Sequence, residues 1–414
     1  MTVGTPSEPV TPEDNGIQKT IWTTILPARL LLNAQGRIVY PFLPVISRGL
    51  GLPLETAALL LAIRGLIGAT SQAFGYLSDR FGRKTLMLAG LVAMIVGAVL
   101  VAKGQTFAAA LFAFALLGFA KACYDPAMQA YIADAVPYEK RGKALGVIEY
   151  SWAGSWLVGV PVAGFLIARW SWRTPFLLIA LLGVISLLAT WRSPALSGRQ
   201  AVGPGQPPVP RTRPYLSALR NRSTVAALAV SGLVIMGNEN FLVIYGAWME
   251  KQFVLSSGRL GLLSTVVSVA ELAGAALIVA SVDRLGKRGG LLLGLAFNIV
   301  AYLLLPFMAI SLIPALAGVI LLAMTSEFSI VATLPLVSEM APKARGTVMA
   351  IHAALTALAA ALASLFGPRL WQWGGLGAVT VASAFAVVLA FVLLWACVRE
   401  RQGASALGLP AANV

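Results

Sequence analysis

Apolar and polar positions along this chain segregate into blocks. Runs dominated by Leu, Ala, Val, Ile and Gly extend well past a dozen residues before charged, Gly or Pro clusters interrupt them. A helix needs about 20 apolar residues to cross a hydrocarbon core of about 30 Å. A membrane strand would instead show alternation over about 10 residues. The blocks therefore predict twelve membrane-spanning helices, near 22–47, 55–77, 85–103, 107–133, 144–168, 174–192, 223–247, 258–280, 290–309, 314–337, 347–370 and 376–397. The fold class expected is an all-α membrane protein with two pseudo-symmetric six-helix bundles.

Composition agrees, with 58% hydrophobic and only 11% charged residues, where soluble domains carry about 25% charged. Little sequence is left for a separate enzymatic domain. The formal charge of +15 does not point to nucleic acid, because its distribution follows the positive-inside rule. With both termini inside, 20 of the 31 Lys and Arg fall on the cytoplasmic side, 7 outside and 4 within spans. Those four are Arg29, Arg37, Arg64 and Lys121. The polar start, with Pro6, Pro9, Pro12, Glu13 and Asp14, lacks the basic and apolar regions of a cleaved signal. Cys123 and Cys397 have neither metal-site nor disulfide spacing and are expected to be inert.

The domain plan expected is a cytoplasmic tail at 1–21, a six-helix bundle at 22–192, a cytoplasmic linker at 193–222, a second bundle at 223–397 and a cytoplasmic tail at 398–414. The linker contains Gly203-Pro-Gly-Gln-Pro-Pro-Val-Pro210 with Arg199, Arg211, Arg213, Arg220 and Arg222, a composition of extended linkers. A repeat relates the halves. Asp79-Arg80-Phe81-Gly82-Arg83-Lys84 after the second span returns as Asp283-Arg284-Leu285-Gly286-Lys287-Arg288 after the eighth, and Arg141-Gly142 returns as Arg345-Gly346 at the same offset. Parallel repeats of this kind are how secondary transporters rock around a central site.

The segment from Gly75 through Ser78, Asp79, Arg80, Gly82, Arg83 and Lys84 resembles the signature loop between helices two and three of the major facilitator superfamily. The segment from Ile132 and Asp134 to Pro137, Arg141 and Gly142 extends that resemblance, which in topology covers nearly the whole chain. It implies a twelve-helix alternating-access transporter, drug or metabolite efflux-like. It also implies a conformational latch of Gly75, Asp79, Arg80, Gly82, Arg83, Asp283, Arg284, Arg141 and Arg345, with Asp79 accepting hydrogen bonds from the start of the eleventh helix near Gly346. Two departures stand out. No Arg occurs in Phe114–Gly118 of the fourth helix, and the proline of the fifth-helix exporter pattern, Gly154 to Gly164, falls at Pro161, displaced by one position.

Ionisable groups at mid-bilayer cost at least ~2.5–3.5 kcal/mol on insertion scales, so they are functional candidates. Arg37 lies on the first span, Lys121 and Asp125 on the fourth, Glu239 with Asn240 on the seventh and Glu327 on the tenth; by the resemblance these four spans line the central cavity. Arg64, Glu149, Glu271 and His352 lie on flanking spans, Arg64 at the interface between halves. Lys121 and Asp125, four apart, share a helix face and can neutralise each other. Arg37 and Arg64 are expected to be locked by Asp125 or Glu149. The second half is expected to carry Glu239, Glu271 and Glu327 as unpaired carboxylates, with only His352 as a possible cationic partner. Such carboxylates suit proton binding and release, which makes Glu239, Glu271, Glu327, Glu149 and His352 the proton-coupling candidates. Pro41 and Pro44 are expected to kink the first span. Tyr40, Tyr124, Trp152, Trp156, Tyr245 and Trp248 are expected as aromatic walls.

The expected function is secondary active transport, proton-coupled export of a small amphipathic compound or metabolite. Transport of an anionic substrate or lipid flipping is the alternative, and a sensor without flux a remote one. No catalytic nucleophile with a base, metal cluster or Gly-Lys-Ser/Thr phosphate loop occurs, so no enzyme activity, cofactor or metal is expected. The partners expected are a small-molecule substrate, protons and the lipid bilayer, with the chain a monomer in the inner (plasma) membrane.

Overall fold

The computed structural model describes residues 12–194, 196, 221–340 and 345–398. The linker segment Gly203–Pro210 with Arg199, Arg211, Arg213 and Arg220, and the two tails apart from the residues at their inner ends, lie outside the described residues. The described residues form helices throughout, with no strand among them.

The first span is a chain of helical pieces: α1 (Pro12–Thr20), a π-helical turn (Ile21–Ile25), α2 (Leu26–Arg37) and α3 (Val39–Gly49). The break after Arg37 has a direct cause. Pro41 has no N–H to offer the Arg37 carbonyl, so the ladder fails there. Next come α4 (Leu54–Gly68) and α5 (Ser71–Phe81), bent by 48°, then α6 (Arg83–Lys103) and α7 (Phe107–Ala135). The fifth span is α8 (Tyr138–Gly154), a π-helical turn (Ser155–Gly159) and α9 (Val160–Arg169); the sixth is α10 (Thr174–Arg192). Both π-turns precede a proline at the second position of the following helix, Pro27 and Pro161. The missing proline donor is what the widened turn accommodates.

In the remainder, α11 (Arg222–Phe253), α12 (Ser257–Leu285), α13 (Lys287–Met308), α14 (Leu312–Glu339) and α15 (Arg345–Cys397) follow. Among the described residues nine helices are long and apolar enough to cross a membrane, or ten with the bent α4–α5 pair. The sequence expectation of twelve exceeds this for identifiable reasons. The first span is interrupted at its π-turn and at Ile38, and α15 is broken at Gly374 and Gly375, where the backbone leaves helical geometry and Gly375 has φ +61°. Two expected spans therefore lie within that one element.

The packing divides into two compact units that do not follow the chain halves. One gathers residues 1–208, 239–269 and 357–379; the other gathers 209–238, 270–356 and 380–414. In the first unit, α3 and α11 approach backbone to backbone, and a Cβ on Gly246 would overlap the Pro41 carbonyl. Gly164 and Gly261 likewise bring α9 and α12 together; a Cβ on Gly164 would sit 3.0 Å from the Gly261 Cα. Small residues permit this approach where lipid supplies no hydrophobic drive between helices. In the second unit, Asn298 on α13 is buried and donates to Thr325 Oγ1 (3.0 Å) and Ser326 Oγ (2.9 Å) on α14.

Candidate functional site

The first span presents Arg29, Asn33, Arg37 and Tyr40 at spacings of four, four and three, which places them on one helical face. Arg29 and Asn33 are buried. Arg29 Nη1 donates to Glu149 Oε1 at 2.9 Å and to the Ile148 carbonyl at 3.2 Å, and its Nε lies 3.7 Å from Asp125 Oδ1. Lys121 Nζ donates to Asp125 Oδ2 at 2.6 Å and to Asn33 Oδ1 at 2.7 Å, while Asn33 Nδ2 donates to Ser151 Oγ at 3.1 Å. One network thus joins α2, α7 and α8 with two cations and two carboxylates, so its charges balance. The i,i+4 pairing of Lys121 with Asp125 is as the sequence suggests. The assignment of Asp125 and Glu149 to Arg37 and Arg64 is not: both carboxylates belong to Arg29, two turns before Arg37 on the same face.

Arg37 instead stacks on aromatic rings, with its Cζ 3.7 Å from the Trp152 centroid and 5.0 Å from that of Trp156. Arg64, on α4, lies against Gly36, where any side chain would overlap its guanidinium. Tyr40, buried, has its hydroxyl against the Glu239 carboxylate of α11, and Arg37 and Arg64 are both within electrostatic reach of that carboxylate. Glu239 Oε2 is buried without a hydrogen-bond partner among the described residues. Asn240 is buried beside it, its backbone against Gly367, where a Cβ would fall 2.8 Å from the Asn240 carbonyl. Of the aromatic positions, Tyr124, Trp156, Tyr245 and Trp248 are fully buried, and Trp152 is 37% exposed.

The other carboxylates differ from expectation. Glu271 on α12 and Glu327 on α14 are half-buried in the second unit, and neither is without a partner. They are therefore not the isolated charges that the count of acids against one histidine suggests. His352 on α15 is buried, and its Nδ1 has no hydrogen-bond partner among the described residues.

The loop residues form ion pairs within each unit. Arg83 pairs with Asp79, donates to Asp134 Oδ2 at 3.1 Å and to Ser78 Oγ at 2.6 Å. Gly75 faces Pro126 of α7, where a Cβ would meet the proline Cβ at 3.9 Å. Arg80 Cζ lies 5.5 Å from the Phe81 ring, and Arg141 Nε donates to the Val136 carbonyl at 2.8 Å. Asp283 and Arg284 are exposed at the end of α12. Arg345 opens α15, and its side chain lies outside the described residues. At the far ends of the first and seventh spans, Arg48 Nη2 donates to Glu250 Oε1 at 2.6 Å.

Sequence reasoning placed Arg29 inside a span but gave it no role, and did not single out Arg48 or Glu250. The signal for Arg29 was its register with Asn33, Arg37 and Tyr40. Among the described residues no group of three or more His, Cys, Asp or Glu is placed to hold a metal.

A family model described as Major Facilitator Superfamily matches residues 25–247 and 227–412. The chain is 27% identical over 365 residues to "Uncharacterized MFS-type transporter YwfA" of Bacillus subtilis (strain 168), covering 86% of each. It is 28% identical over 286 residues to "Multidrug resistance protein MdtG" of Klebsiella pneumoniae (strain 342), covering 67% of this chain and 68% of that protein. Among solved structures, a D-xylose-proton symporter superposes with a TM-score of 0.75 at 19% identity, covering 94% of this chain and 99% of the other.

Proposed function

Because the chain belongs to the Major Facilitator Superfamily, and so is a multi-pass membrane transporter rather than an enzyme, we propose that it moves a small amphipathic compound coupled to protons. Glu239 is the proton-carrying group in this reading. The observation that carries it is the setting of that carboxylate: half-buried mid-helix, one oxygen without a partner, beside Tyr40 and within reach of Arg37 and Arg64. A carboxylate so placed changes the charge of its surroundings each time it gains or loses a proton. Six-helix halves rocking about the site, a cytoplasmic linker, both termini inside and a monomeric plasma-membrane protein complete the proposal.

The direction of transport follows from the charge of the cargo. A neutral or cationic amphipath would exchange with the proton at Glu239, giving export, in keeping with a relative named for multidrug resistance. An anion would travel with the proton, and the two arginines beside Glu239 favour that second reading.

The test is proton movement in proteoliposomes carrying the purified protein and a pH-sensitive dye inside, under an imposed pH gradient. Glu239→Gln abolishes substrate-dependent proton flux, whereas Glu271→Gln and Glu327→Gln retain it. Flux through Glu239→Gln equal to wild type overturns the assignment.

A further inference from the structure

Arg37 and Arg64 differ from the other embedded cations of the first unit. Arg29 and Lys121 have carboxylates at 2.9 and 2.6 Å. Among the described residues neither Arg37 nor Arg64 forms an ion pair or a hydrogen bond, and Arg64 Nε is buried without an acceptor. The two are neighbours, since Arg64 occupies the space over Gly36, one residue before Arg37. Among the described residues Glu239 is the one carboxylate within reach of both, so one positive charge is left over, and an uncompensated charge is costly in a low-dielectric interior. Two guanidinium groups kept together in this way are arranged for an anion.

The aromatic contact shows which part of Arg37 is available. Trp152 takes the face of the guanidinium at 3.7 Å, which leaves the planar N–H edge, the part that forks onto an oxyanion. Trp152 is partly open while Trp156 is buried, so Trp152 offers a ring surface next to that edge. Lys121 Nζ lies 5.9 Å from the same ring, but Asp125 offsets its charge, which leaves Arg37 and Arg64 as the groups that disfavour a cationic guest.

We propose that Arg37 and Arg64 bind the headgroup of a monoanionic substrate, an organic carboxylate whose apolar or aromatic body lies on Trp152. This rests on the reading of the Glu239 cluster as the transport site, and it fixes the cargo charge that reading leaves open. The groups facing Glu239 are Tyr40 of α3, Arg37 of α2 and Arg64 of α4; Asp125 and Lys121 of α7 lie beyond, Asp125 within reach of Arg64. With Glu239 ionised, the trio of two arginines and one carboxylate has one net positive charge; with Glu239 protonated it has two. Proton and anion therefore bind better together than apart, and they cross in the same direction.

The experiment is equilibrium dialysis of the purified full-length protein in lipid nanodiscs against 2-naphthoate, benzoate, phenylacetate and the matched cation 2-naphthylmethylammonium. Wild type retains 2-naphthoate at least about tenfold more tightly than the cation, and Arg37→Ala or Arg64→Ala each loses about tenfold or more, as expected when a charged hydrogen-bonding partner is removed. Arg64→Lys keeps the charge without the fork and loses less, which separates the site from a folding defect; all variants are checked for a single monodisperse peak. Affinity rises as pH falls, and Glu239→Gln binds more tightly than wild type with no such dependence. Preference for the cation, retention of none of the three carboxylates, or unchanged 2-naphthoate affinity in monodisperse Arg37→Ala and Arg64→Ala overturns the proposal. Dialysis needs no gradient, so the two readings fail separately. Carboxylate binding without proton flux sinks the coupling reading alone, and proton flux without anion preference sinks the site alone.

Discussion

The Arg29 guanidinium is 7% exposed and meets Asp125, which is 18% exposed, and Glu149, which is 62% exposed. Its two ion pairs therefore differ in worth. Screening at the open end leaves the Glu149 contact weak, whereas removing the cation strands Asp125 with Lys121 as its remaining partner. Breaking a buried pair from one side typically costs about 3–5 kcal/mol. Arg29→Ala is accordingly expected to lower the thermal unfolding midpoint of the detergent-solubilised protein sharply, and Glu149→Gln to change it little. Equal shifts in the two variants would show that Arg29 does not depend on its burial. This network also shows how far residue-scale inference reaches. Lys121 with Asp125 was legible because four residues on a helix fix a shared face. The partners of Arg29, more than 90 residues away in sequence, depend on the rotation of α2 against α7 and α8, which no local pattern encodes. Charge counting allotted Asp125 and Glu149 to Arg37 and Arg64 because it had no access to that rotation. Hydropathy alone could likewise not show that Glu271 and Glu327 have partners.

At the scale of elements, hydropathy located the spans well, with most observed ends within a few residues of the expected ones. It could not register where a helix changes its winding. The π-turns at Ile21–Ile25 and Ser155–Gly159 contain no charged residue and no proline and so read as ordinary helix; only the prolines that follow, Pro27 and Pro161, mark them. The join inside α15 was legible for the opposite reason, because Gly374 and Gly375 interrupt the apolar run. Close packing between elements depends on positions where the sequence offers no side chain. Gly118 on α7 is one: a Cβ there would stand 2.5 Å from the Arg64 carbonyl of α4. Because the obstacle is backbone, it cannot move aside by a change of rotamer. Gly118→Leu must push α4 from α7 and displace Arg64, with an overpacking cost of about 1–3 kcal/mol. The expected outcome is a lower yield of monodisperse protein and weaker 2-naphthoate retention. Normal stability and retention in this variant would mean that α4 shifts freely.

Across the whole molecule, the repeat that carries Asp79 onto Asp283 and Arg141 onto Arg345, an offset of 204 residues, proves deeper than the shared residues that revealed it. Gly82 (φ +94°) and Gly286 (φ +70°) sit at equivalent points, and each turns the chain in the left-handed region between consecutive helices. The basic residue that follows each, Arg83 at the start of α6 or Lys287 at the start of α13, pairs with an acid near the end of the next long helix, Asp134 of α7 or Glu339 of α14. Each half thus repeats a backbone turn and its ion pair within its own packing unit. A further charge contact of the first unit joins Arg48 of the first span to Glu250 of the seventh, at ends that the proposed topology puts on the outer face. An alternating-access cycle requires these ends to part once per turnover, so the pair opposes opening by whatever it contributes. Arg48 is 61% exposed in its side chain, and exposed pairs contribute about 0.2–1 kcal/mol. That is a shift of at most about fivefold in the ratio of closed to open populations. With single spin labels at positions 52 and 254 in a cysteine-free background, Glu250→Ala should raise the long-distance population in pulsed dipolar spectra by no more than that factor. The charge swap of Arg48→Glu with Glu250→Arg should restore it. An unchanged distance distribution in Glu250→Ala would make the pair a bystander. A complete shift to the open form would make it a lock, stronger than its exposure allows.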